Sequence, residues 1–402
     1  MKKVPVQWLK PGMYIAKVDS EWMAHPFLRS HFAVKDERII QKLIQAGIHD
    51  VYIDPAKGLD LDGVPTEEEV QQAVETGILR LAATANPIRK VPVQEEMARA
   101  RNVYLEAVRI IRDVMQDVRL GKQVVLDRID PIIEEITESI IRNHDALLSL
   151  TRLKHKDSYT FQHSVAVAAM QVAFTRAMGL QADEMHLAGV GGILHDIGKV
   201  RIPDTILNKP ARLTEDEFAI MKCHVAEGRK ILESADAIHP LSIQVAYQHH
   251  ERCDGSGYPE GLTLENISDM GKMVAICDVY DALTSDRVYH RAMEPHRAVR
   301  KIFEWSQFHF DPKLVQQFIR IVGIYPLGTL VLLKSGRIGI VLEQSPSSLL
   351  EPRLQVFYDT RNRHYLQPSV VDLGKPVGQG GADEIIGPVD AKDWGINPRK
   401  LF

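Results

Sequence analysis

The chain has 402 residues, 45% hydrophobic and 25% charged, the balance of a globular protein with room for two or three domains. Lys and Arg number 49 against 53 Asp and Glu, and the net charge of −4 argues against a general nucleic-acid binder while leaving room for a local pocket that takes a small anion. Cys223, Cys253 and Cys277 lie far apart with no CxxC pair, which argues against a disulfide framework and against a thiolate zinc site.

The amino terminus lacks the apolar run of a signal peptide, and no stretch of about eighteen apolar residues is present, so no membrane span and a cytoplasmic location are expected. Val4–Val18 reads as two short strands broken at Pro11-Gly12. Residues 36–46 carry Ile39, Ile40, Leu43 and Ile44 at helical spacing and stop at Gly47; Val51-Tyr-Ile-Asp then reads as a returning strand. Residues 1–65 are therefore expected to form a small α+β domain, with Trp22, Phe27 and Phe32 read as its core aromatics. Thr66 followed by Glu69 is a capping box opening a helix. A long amphipathic helix over 95–120 follows, and 66–124 reads as a helical connector. The apolar stripe of 95–120 fits either a dimer-forming stalk or packing on the next domain.

From 125 to 323 the periodicity is almost purely helical, and Thr214 with Glu217 marks another capping box. At Gly323 the texture changes. Residues 328–333, 337–342 and 354–358 read as strands joined by turns, so 324–402 is expected to be a small β-rich region whose last 25 residues are irregular. The fold class is mainly α, an all-helical domain flanked by a small α+β domain and a small β appendage.

Five features of the helical domain carry ligand-type side chains. They are His163, the pair His195-Asp196, His224, the pair His249-His250 before Glu251, and Asp278 with Asp281 one helical turn apart. A lone helical histidine is more often a satisfied core or surface residue than a ligand. Invoking that five times over is less economical than one site. Imidazole with carboxylate and no thiolate suits iron, manganese, nickel or zinc. Asp196 adjoins another ligand and is the best placed bridge. Two cations about 3.5–4 Å apart would hold a bridging hydroxide as nucleophile and neutralise a phosphate. Neither a GxSxG elbow nor a GxxxxGK[ST] loop is present, and Asp254–Gly261 reads as a turn-forming loop.

His195-Asp-Ile-Gly-Lys199, His249-His-Glu-Arg-Cys-Asp-Gly-Ser-Gly-Tyr-Pro259 and Asp278–Arg287 together resemble the HD-GYP family. The resemblance covers about 200 residues, and the flanking regions resemble a bacterial subgroup with an uncharacterised amino-terminal domain. It implies an HD-type metal-dependent phosphohydrolase fold and a phosphodiesterase that opens cyclic-di-GMP to pGpG, in some members on to GMP, in second-messenger control of biofilm and motility. It implies His163, His195, Asp196, His224, His249, His250 and Asp278 as metal ligands, with Asp196 as bridge. Two divalent transition-metal ions are expected, iron or manganese ahead of nickel or zinc. Lys199 matches the residue that contacts the scissile phosphate or protonates the leaving oxygen, supported by Asp281. Tyr258, Arg287, His290 and Arg291 match substrate contacts.

Two departures stand out. Tyr159 occupies the place of a carboxylate found in three-metal members, which favours two metals and a reaction that stops at pGpG. His290 stands where a stronger base is common, although Arg291 follows it. The rival readings are a weakly catalytic cyclic-di-GMP sensor or adaptor, and an HD phosphohydrolase acting on another nucleotide. A homodimer or a signalling-protein partner is compatible with the chain.

Overall fold

The structure is a computed structural model that describes residues 1–18, 31–81, 90–151, 159–235, 237–286, 292–345, 347–375 and 383–396. Strands β1 (Lys2–Pro5), β2 (Tyr14–Val18), β3 (Phe32–Ala33) and β4 (Asp50–Ile53) form an antiparallel sheet in the order β1-β4-β2-β3. The two strands expected from Val4–Val18 form, yet they flank β4 instead of pairing with each other, and the 3-10 helix Val6–Trp8 follows the first. Helix α1 (Glu37–Gln45) opens on Asp36, whose carboxylate accepts the Ile39 N–H. It buries Ile40 and Leu43 in one core with Val4, Ile15, Val51 and Ile53. Phe32 packs against this core partly buried, while Trp22 and Phe27 lie outside the described residues.

Helix α2 (Glu67–Leu79) begins at the expected capping box: the Thr66 hydroxyl accepts the Glu69 N–H, and the Glu69 carboxylate accepts the Thr66 N–H at 2.8 Å. Helix α3 (Val93–Arg119) buries Ala100, Val103, Ala107, Ile111, Val114 and Val118 against α4 (Asp130–Leu150) and α5 (Tyr159–Ala177). The apolar stripe that fitted a stalk or internal packing is thus spent inside the molecule.

Helices α6 (Ala182–Leu194), α7 (Asp204–Leu207), α8 (Glu215–Glu233), α9 (Pro240–Gln248), α10 (Asp269–Leu283), α11 (Pro295–Trp305) and α12 (Pro312–Val322) complete the helical part. Of these, α5, α6, α9 and α10 pack in a ring, each touching two others. Helices α5 and α10 are buried almost all round, which is what their lack of a polar face dictates. No helix among the described residues is long and apolar enough to cross a membrane.

Beyond Gly323, strands β5 (Leu330–Leu333), β6 (Arg337–Glu343), β7 (Arg353–Asp359), β8 (His364–Asp372) and β9 (Ile385–Pro388) form an antiparallel sheet in the order β8-β7-β6-β5-β9. Val331, Leu333, Val341, Leu354 and Val356 join the core of the helices. The expected β appendage is therefore larger than its three strands. β8 was not anticipated, and β9 falls in the tail expected to be irregular.

Candidate metal centre

The ring of helices and the adjoining α8 bring four histidines together. His163 sits on α5, His195 just past the end of α6, His224 on α8 and His249 just past the end of α9. Each uses Nδ1 on an acceptor that fixes its ring. His195 donates to the Gly192 carbonyl at 2.7 Å, His224 to Met221 at 2.7 Å and His249 to Ala246 at 2.6 Å. His163 Nδ1 bonds the Asp281 carboxylate at 2.6 Å. With Nδ1 carrying the proton, every Nε2 of a neutral ring presents a lone pair to the centre.

These lone pairs face one another. His163 and His195 bring Nε2 atoms to 3.2 Å, and His224 and His249 bring theirs to 3.3 Å. Two lone pairs at that distance repel unless a cation lies between them. Asp196 stands between the two pairs. Its Oδ2 is 3.3 Å from His195 Nε2 and 3.7 Å from His163 Nε2, and its Oδ1 is 3.5 Å from His224 Nε2 and 3.9 Å from His249 Nε2. Oδ1 is buried without a hydrogen-bond partner among the described residues. Asp278 on α10 places one oxygen 3.1 Å from His163 Nε2 and the other 3.6 Å from His250 Nδ1. His163, His195 and Asp278 form one compact ligand group, and His224, His249 and His250 another. The donor set fits divalent transition metals: imidazole nitrogen and carboxylate oxygen, largely buried and preoriented.

Local chain geometry makes this closeness. After α6 the chain turns into a 3-10 helix, Ile197–Arg201, which lies against α8. Gly198 permits the contact: a Cβ there would stand 1.9 Å from the His224 carbonyl oxygen and 2.4 Å from the Gly228 nitrogen. Asp196 and His224 meet because that side chain is missing.

Protonation suits metal binding. Burial pushes His224 down to about 4 against the pull of Asp196, and pushes His249 and His250 well below the usual imidazole range, with neighbouring imidazoles adding to it. Burial opposes ionisation of Asp196, but the Lys199 ammonium and the His195 and His224 rings overcome it and hold the carboxyl well below its ordinary value. For Asp278 burial is likewise overcome, chiefly by the adjoining His163 imidazole, with His250 and His195 adding to it. His195 is the exception: despite burial, Asp196 beside it raises its affinity for a proton.

Every expected ligand is thus brought to one place. Lys199 pairs with Asp196 Oδ2 at 2.5 Å and remains partly exposed at the mouth. The carboxylate of Asp281, expected to support Lys199, engages His163 instead, one step behind the ligands. Tyr258 lays its ring 4.6 Å from that of His250, at the edge of the site. Arg287, His290 and Arg291 lie outside the described residues. Tyr159 stacks on His163 with ring centres 5.7 Å apart and offers a phenol in place of a carboxylate.

Two residues were not singled out from the sequence. Glu251 is buried and accepts the N–H groups of Glu260 and Leu262, both at 2.8 Å, closing the loop that carries Tyr258. Its position after His249-His250 was the only signal. Lys222 holds its ammonium 5.8 Å over the Tyr258 ring, adding a cation at the mouth.

Comparison with known proteins places both parts of the chain in families. Residues 1–129 match a family described as a domain of unknown function, DUF3391, and residues 135–314 match the HD domain family. A cyclic di-GMP phosphodiesterase of Pseudomonas aeruginosa is 40% identical over 98% of this chain and 93% of its own length. The cyclic di-GMP phosphodiesterase response regulator RpfG of Xanthomonas campestris pv. campestris is 31% identical over 62% of this chain and 63% of its own. A 3′3′-cGAMP-specific phosphodiesterase of Vibrio cholerae is 37% identical over 39% of this chain and 30% of its own.

Proposed function

Since the chain belongs to the HD-GYP family, we propose that it is a cytoplasmic, metal-dependent phosphodiesterase that opens cyclic-di-GMP to linear pGpG. The observation that carries this reading is the set of imidazole lone pairs converging on Asp196, whose two oxygens divide between His163/His195 and His224/His249. That division supports two ions, with His163, His195 and Asp278 serving one, His224, His249 and His250 the other, and Asp196 both. Iron and manganese, then nickel and zinc, suit the donors. Bound there, such ions supply a water activated at neutral pH and neutralise phosphodiester charge.

The chain's own residues do the rest. Asp281 keeps the proton of His163 on Nδ1, so that Nε2 stays a ligand atom. Lys199 is the partly exposed cation nearest Asp196, placed to meet a phosphate oxygen and to donate a proton to the oxygen that leaves. Tyr258 offers a flat ring at the mouth for a base or ribose. Tyr159 brings no carboxylate for a third ion, so hydrolysis stops at pGpG.

The test is metal analysis of anaerobically purified protein together with identification of products from cyclic-di-GMP and, in parallel, 3′3′-cGAMP. The expected result is two ions per chain and pGpG from cyclic-di-GMP, abolished by chelation and in Asp196→Ala. Metal-loaded protein that leaves cyclic-di-GMP intact, or that prefers the mixed dinucleotide, would overturn the assignment.

A further inference from the structure

Asp254 opens the loop that carries Tyr258, and its side-chain hydrogen bonds among the described residues go to Ser256, His309 and His49 rather than to the converging histidines. Its Oδ1 accepts the Ser256 N–H at 2.9 Å and the Ser256 hydroxyl at 2.7 Å, folding the loop on itself. Its Oδ2 accepts from His309 Nδ1 at 3.1 Å and from His49 Nε2. His49 belongs to the N-terminal module, immediately before β4, and is 205 residues away in sequence.

The approach of the two modules is close at this point. The His49 ring lies flat on Phe308, centres 4.7 Å apart and planes within 2°. Gly47 holds φ +68, and a Cβ there would stand 2.8 Å from the Ser256 Cβ. The Cys253 N–H donates to the His309 carbonyl at 3.0 Å. The far end of the loop is pinned by its Tyr258 N–H on the His250 carbonyl, at 3.1 Å. One carboxylate therefore joins the loop, the segment after α11 and the N-terminal module.

We propose that His49 is a positioning residue for substrate binding: through Asp254, the N-terminal module holds the loop that presents Tyr258 to the cyclic dinucleotide. The same three side chains bring ligand atoms close enough to hold a cation. Both rings, however, lie within hydrogen-bond reach of one carboxylate oxygen, and Ser256 takes the other oxygen, a triad complete without an ion.

The inference rests on the proposed activity, and its test separates the two. Full-length protein carrying His49→Ala, His49→Asn, whose amide falls short of Asp254, and His49→Gln, whose amide reaches it, is compared with wild type. For Ala and Asn, KM for cyclic-di-GMP rises about tenfold while kcat stays within about twofold, and Gln restores most of the loss. Hydrogen exchange at residues 255–258 quickens in Ala and Asn and returns in Gln, a readout that needs no turnover. Wild-type KM and exchange in a folded Ala or Asn variant would overturn the inference. So would a metal content that drops by one ion per chain in these variants, which would make the cluster a metal site. Failure of the activity itself would instead show as wild-type protein that turns over no cyclic-di-GMP.

Discussion

At the scale of single residues, proton placement decides what the site can bind. Asp281 matters because, of the four acceptors that hold Nδ1 of these histidines, three are backbone carbonyls and it alone is a carboxylate. Asp281→Ala should lower metal affinity about 10- to 100-fold, measured by competition with a chelator, while Asp281→Asn retains an acceptor and loses less. Acid should destabilise the metal-free protein well before its carboxylates titrate. His224 takes a proton at about 4 when folded and near its ordinary 6.5 when unfolded. The unfolded chain thus binds more protons between those values, and stability is lost as pH falls through that window. His249 and His250 act in the same direction, whereas His195, raised in the fold, acts against them as one group facing three. The urea midpoint of chelator-treated protein should therefore fall steadily from pH 6.5 to pH 4.5. A midpoint flat over that range would mean the histidines are solvated. The converging histidines and aspartates were legible in the sequence because each sits in a short motif of unusual composition. The acceptors that orient them were not, since three are backbone carbonyls and carry no residue signature.

At the scale of elements, burial explains which parts could be read. Helices α5 and α10 show as long apolar runs interrupted by His163 and Asp278, and α8 announces itself through the Thr214 capping box, which the structure forms. Strands β8 and β9 could not be recognised. β8 is an edge strand exposed along most of its length, with Pro368 next to its register shift, and β9 is four residues long, so neither alternates polar with apolar. The 3-10 helix after α6 matters more than its length suggests. Gly198→Ala would drive a methyl into the His224 carbonyl and the Gly228 backbone, which have no side-chain freedom to yield. The helix and α8 must then separate, and Asp196 moves away from His224. A loss of about 1–3 kcal/mol in stability is expected, together with loss of bound metal, read by calorimetry and metal analysis on the same sample. A variant that loses stability but keeps full metal content would show that the contact supports packing only.

At the scale of the whole molecule, the N-terminal module is tied to the helices by buried charge. Lys3 of β1 lies 3.2 Å from Asp50 of β4 and also bonds Glu304 of α11, a residue 301 positions away. The Tyr52 hydroxyl donates to the same Glu304 at 3.2 Å, and Lys301 reaches its other oxygen at 3.4 Å. Burial opposes ionisation of Glu304, and Lys301 and Lys3 together hold its carboxyl below the ordinary value. No sequence pattern forecasts such a cluster, because its members are scattered over three elements and each charged member alone looks like a surface charge. Its energetics are asymmetric: the pairing offsets a desolvation cost, so removing one partner hurts more than removing two. Lys3→Met should cost about 3–5 kcal/mol, because Asp50 and Glu304 would face each other with their shared cation gone. Adding Glu304→Gln to Lys3→Met should recover part of that loss, the two changes sharing one network and so failing to add. Urea unfolding of the two single variants and the double variant measures the coupling. Strict additivity would mean that the module is held by its apolar contacts and by the His49–Asp254 contact, with Lys3 and Glu304 contributing independently.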